Sequence, residues 1–178
     1  MSGERIGIAI IIGLAAVILA TVLILGFHRS PVAGGRFHGG QPGAQVVRTL
    51  NTAEITYATT YPEQGYAPDL ATLGPGRPEA TNTGCQGPTT AHACLIDARV
   101  GCNAGSTAWC VSGPYRYSIQ SSSSKPPYRD YWITATPIEA RPEHKNYCSA
   151  SDLVVRSEQS LPLSRPYTLA ECLALKAE

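Results

Sequence analysis

An unbroken apolar run between Ile6 and Phe27, IGIAIIIGLAAVILATVLILGF, constrains this chain more than any other stretch. It holds no charged residue, with Glu4 and Arg5 just before it and His28 and Arg29 just after. As a helix it would be about 33 Å long, enough to cross a hydrocarbon core roughly 30 Å thick. A cleaved signal peptide has a shorter apolar core and a small-residue cleavage site, for which HRSPVAGG is a poor match. A buried core helix would carry a polar stripe, and this run is apolar all round. The run predicts an uncleaved single-pass anchor.

Orientation rests on two signals that oppose each other. Arg5 alone precedes the run, whereas Arg29, Arg36 and Arg48 follow it, so the positive-inside count argues against a cytoplasmic amino end. The six cysteines, Cys85, Cys94, Cys102, Cys110, Cys148 and Cys172, all follow the run. An even cysteine count in a small domain fits an oxidising compartment. The cysteines decide the expectation. Residues 1–5 form a cytoplasmic tail, 6–27 the membrane helix, 28–43 a linker, and 44–178 a periplasmic or extracellular domain.

The body is about one domain long. With 14 basic residues against 13 acidic ones, it lacks the basic excess of a nucleic-acid-binding surface. The stretch RSPVAGGRFHGGQPG is too rich in glycine and proline for a helix and reads as a flexible linker. His28 and His38 lie in or beside it without a carboxylate or cysteine nearby, which favours solvated side chains over a metal pair.

The next stretch, AQVVRTLNTAEITYATTY at 44–61, repeats Val47, Leu50, Glu54, Tyr57, Ala58 and Tyr61 at helical steps. Its threonines make it a weak helix that needs a packing partner. A short helical turn is expected over 68–73, opened by Pro68 and ended by Gly74. The carboxyl half alternates as strands do. YRYSI places Tyr115, Tyr117 and Ile119 on one face, and DYWITATPI sets Tyr131, Ile133 and Ala135 against Trp132, Thr134 and Thr136. Pro137 predicts an edge there. NYC and LVVR read as two further strands about a Ser-Ala-Ser-Asp turn, and 169–175 as a helical tail. Helix first and antiparallel sheet after is an α+β pattern.

The succession VRTLNTAEITYATTYPEQGYAPDLATLGP, YRYSIQ, DYWITATPI and NYCSASDLVVR, from Gln45 to Arg156, resembles the globular part of type IV pilins and type II secretion pseudopilins. The resemblance implies an amino-terminal helix on an antiparallel sheet of about four strands, a structural role among pilin or pseudopilin subunits, and no active site or cofactor. It puts Cys148 and Cys172 in the place of a carboxyl-terminal disulfide loop. The chain departs from the family at its front. The run opens ERIGIAII, without the usual prepilin leader and Thr-Leu-Ile-Glu motif, and no carboxylate lies inside it.

Spacing alone does not choose among the cysteine pairings. Nearest neighbours are the expectation: Cys85 with Cys94, Cys102 with Cys110, Cys148 with Cys172. A zinc site is the rival, with His92 beside Cys94, but no Cys-x-x-Cys occurs. Serine, histidine and aspartate are present without a Gly-x-Ser-x-Gly, and no phosphate-binding glycine loop is found. A non-catalytic protein is therefore expected. Tyr115, Tyr117, Tyr131 and Trp132 are the candidate partner-binding residues. The alternatives to an accessory structural protein are a glycan- or protein-binding module using that aromatic face, although tyrosines at alternate strand positions more often cover a core edge, and a minor pilin assembled into a filament.

Overall fold

Helix α1 (Pro42–Thr60) starts two residues before the predicted helix, inside the expected linker. In this computed structural model residues 42–76, 85, 87–101 and 109–178 are described. Proline suits the first helical position because its missing N–H has no helical partner there. Gly43 is buried, and a Cβ on it would lie 2.7 Å from Tyr115 Cε1 and 2.8 Å from Tyr147 Cδ2. The glycine that reads as a linker residue is thus a point of close approach between helix and sheet. The hydroxyls of Thr49, Thr52, Thr56, Thr59 and Thr60 each donate to the carbonyl four residues back, so the exposed face satisfies itself.

After α1 the chain turns at Gly65, whose φ of +75° and closeness to Tyr128 exclude a side chain. Tyr66 N donates to Tyr128 O at 2.9 Å, and Tyr128 N to Gln64 O at 2.8 Å. The short helix α2 (Leu70–Leu73) follows, capped by Asp69 rather than opened by Pro68. The Asp69 carboxylate accepts from Thr72 N at 2.8 Å and from Thr72 Oγ1 at 2.9 Å. Leu70 and Leu73 point into the core, as their spacing predicts.

The sheet has six antiparallel strands in sequential order: β1 (Cys110–Ser112), β2 (Tyr115–Gln120), β3 (Trp132–Pro137), β4 (Asn146–Ala150), β5 (Arg156–Glu158) and β6 (Lys176–Ala177). The expected α+β arrangement with about four strands and an amino-terminal membrane helix is corrected accordingly. The described residues form one six-stranded sheet with one helix of several turns and two short ones. The strands that sequence reading misses, β1 and β6, are three and two residues long and too short to show a period of two. The strand expected at Leu153–Arg156 instead begins at Arg156, where the polar Arg156-Ser157-Glu158 pairs. Pro137 also differs from expectation. It ends a central strand, opposite Tyr115, where it interrupts no interior ladder.

Among the described residues no helix is long and apolar enough to cross a membrane. The expectation of a single-pass membrane protein with a cytoplasmic amino terminus is corrected on that finding. Residues 1–5, the run from Ile6 to Phe27 and the linker as far as residue 41 lie outside the described residues.

Both faces of the sheet are covered. On one, α1 buries Val47, Leu50, Ala53 and Tyr57 against Tyr117, Ile119, Tyr131, Ile133, Ala135 and Tyr147. Each fully buried Leu or Ile, such as Leu50 and Ile133, contributes about 1.5–3 kcal/mol relative to exposure. On the other, the carboxyl-terminal segment with helix α3 (Leu169–Ala174) packs on Cys148, Ala150 and Trp132. Thr168 and Glu171 form a capping box at the start of α3. This second cover explains why Thr134 and Thr136 are fully buried although the alternation of β3 suggests a wet face.

Candidate functional site

The residues that carry candidate chemistry fall into three layers: the helix-facing side of the sheet, the side facing the carboxyl-terminal strap (residues 159–175), and the surface. On the helix-facing side Tyr115, Tyr117 and Tyr131 are 0 %, 1 % and 0 % exposed, so they do not form a binding face. Burial raises all three phenol pKa values above the ordinary range. Tyr131 OH donates to Asn51 Oδ1 at 3.1 Å, and Asn51 Nδ2 donates to Ser149 Oγ at 2.9 Å. Tyr66 packs edge-on to Tyr131, with ring centroids 4.7 Å apart. One turn along α1 from Asn51, the Glu54 carboxylate accepts from Ala67 N at 2.8 Å. These groups make a polar layer sealed between helix and sheet.

The strap-facing side holds Trp132, the fourth candidate. It is half-buried, and its Nε1 donates to Tyr167 O at 2.7 Å. Tyr167 N donates to Thr134 Oγ1 at 3.2 Å, and Leu163 N to Thr136 Oγ1 at 2.9 Å. Thr136 in turn donates to Asn146 Oδ1 at 2.6 Å, while Asn146 Nδ2 donates to Ser160 Oγ and to Leu161 O. Arg116 Nη2 donates to Leu163 O, and its guanidinium carbon lies 4.8 Å from the Trp109 ring centroid. The strap therefore occupies the face that an external partner of Trp132 would need. Of the four candidate partner-binding residues, Tyr115, Tyr117 and Tyr131 are thus buried and Trp132 is bonded internally.

The cysteines staple the loops. Cys85 is bonded to Cys94 and Cys148 to Cys172, spanning 9 and 24 residues. The longer loop contributes roughly 3 kcal/mol in the chain-entropy account. Cys110 is disulfide-bonded, and Cys102, its expected partner, lies outside the described residues. Among the described residues no group of three or more His, Cys, Asp or Glu side chains is placed to hold a metal ion.

At the surface, a shallow open cleft lies between residues 140–142 and 159–161, lined by Arg141, Pro142 and Leu161 among others. Leu161 is 76 % exposed, and Ile138, just before the cleft, is 49 % exposed. Val111 on the outer strand β1 is 61 % exposed. Neither Leu161 nor Asn51 stands out in the sequence. Only Glu54, an acid set in an otherwise apolar helical stripe, carries a visible signal. No protein-family model, curated protein or solved structure matches this chain.

Proposed function

We propose that this chain is a non-catalytic structural or interaction protein that works with pilin or pseudopilin subunits. The observation that carries the reading is the order of parts: a helix laid across a sequentially ordered antiparallel sheet, with Cys148 bonded to Cys172 at the carboxyl end. It complements the sequence resemblance from Gln45 to Arg156. The inward turn of the aromatic and polar side chains supports the same reading. They bond one another, and apolar Leu161, Ile138 and Val111 remain outside as contact residues. Crosslinking in intact cells, followed by mass identification of the adducts, tests it. Adducts with a pilin or pseudopilin subunit are expected. A chain that stays monomeric, or that is trapped only with unrelated proteins, overturns the proposal.

A further inference from the structure

Glu54 is fully buried on α1, facing the segment over residues 62–76. Its Oε2 accepts from Ala67 N, and its Oε1 is buried with no hydrogen-bond partner. The ionisable groups coupled to it are Asp69 from that segment, Tyr131 from the sheet and Tyr57 from its own helix. All three are acids, and none offers a positive charge. A carboxylate here would lose its hydration without an ion pair and would be repelled by Asp69.

We propose that Glu54 is a protonation-gated latch: as a neutral acid it holds the 62–76 segment against α1, and loss of its proton to solvent base frees that segment at Ala67 while β2, β3 and β4 stay paired. Glu54 has no exposed surface, so an ionised Glu54 reaches water only if part of its cover, which includes Ala67, moves away. The fastenings of α1 to the sheet through Asn51, Tyr131 and Ser149 do not depend on a carboxylate. Backbone bonds tie Gln64 and Tyr66 to Tyr128 on one side and Thr72, Leu73 and Gly74 to residues 93–96 on the other, so release is confined to the stretch about Ala67 between them.

Burial, opposed by the Ala67 bond and reinforced by Asp69, pushes the Glu54 carboxyl from 4.5 up to about 8. The folded value lies above the unfolded one. Closure is therefore fully favoured below pH 4.5, weakens up to tenfold per pH unit as pH rises, and is lost through about 8.

The test uses the full-length chain, isotopically labelled. The Glu54 carboxyl carbon shift should titrate with a midpoint near 8, and a midpoint near 4.5 overturns the proposal. Amide exchange, corrected for base catalysis, should show Ala67 losing at least tenfold more protection than the amides of β3 between pH 6 and pH 9. Equal loss at both places, or no loss at Ala67, overturns it. Glu54→Gln should keep Ala67 protected throughout, and the same loss in that variant would overturn it too. Should the variant fail to fold, the two wild-type measurements decide alone.

Discussion

The indole nitrogen of Trp132 and the backbone carbonyl of Tyr167 are 2.7 Å apart, joined across 35 positions of sequence. The bond fastens the carboxyl-terminal strap to the middle of the sheet. It gives the one candidate aromatic side chain that is not fully buried an internal partner.

Replacing Trp132 by Phe keeps most of the apolar contact with Cys148 and Ala150 but removes the donor. The Tyr167 carbonyl is then left without its partner, at a cost of about 1–2 kcal/mol. Urea titration should show a lower midpoint with an unchanged slope. An unchanged midpoint would mean that water replaces the indole at no cost.

Gly43→Ala sets two magnitudes against each other. Helix propensity favours alanine by about 1 kcal/mol. The new methyl would stand 2.7 Å from Tyr115 and 2.8 Å from Tyr147, two rings that are fully buried and have nowhere to go. Overpacking of this kind costs about 1–3 kcal/mol. The steric term should win, so thermal unfolding is expected several degrees below wild type, by about 4–8 °C per kcal/mol at Tm for a small domain. A rise in the midpoint would show that the helix start can tilt away from the sheet.

These residues also show how far the sequence reaches. The inward stripe of α1 and the faces of β2 and β3 are legible because periodicity is a local signal, whereas the two described disulfides agree with a nearest-neighbour expectation that spacing alone does not select. Pro42 and Gly43 mislead because the same residues that end helices in a linker also start one beneath a crowded ring pair. The second cover is invisible in part, for a different reason. The tail helix expected at 169–175 is legible, but the segment 159–168 before it has no apolar period and is held by single side-chain bonds to Thr134, Thr136 and Asn146 that no pattern marks. The edge strands fail because two or three residues cannot establish an alternation.

Glu171 gives a pH prediction at the acid end. The Arg165 guanidinium, 2.6 Å away, and the Thr168 backbone and hydroxyl hold its carboxyl down at about 2, against an ordinary 4.5. The folded value is below the unfolded one. Its cap on α3 is therefore fully present above pH 4.5 and is lost as pH falls through about 2. Carbon shifts of the Glu171 carboxyl should titrate near 2 in wild type and move toward 4.5 in Arg165→Ala. A midpoint unaffected by the substitution would leave the capping hydroxyl and amide of Thr168 as the cause.

The Cys148–Cys172 bond ties α3 to β4, and both sulfurs belong to fully buried residues. Replacing both cysteines by alanine removes a loop constraint of roughly 3 kcal/mol. The loss should be uneven. Along the strap, Trp132, Thr134 and Thr136 still bond to Tyr167 and Leu163, so the segment near residues 163–167 keeps its place at first. Beyond Thr168 the described side-chain bonds of α3 run mainly to its own cap and to Arg165, which do not hold it on the sheet. Amide exchange in the double variant should therefore rise first at Cys172→Ala and Leu175, with β2 and β3 protected until global unfolding. If β3 opened together with α3, the disulfide would be a staple of the whole sheet and not of its outer cover.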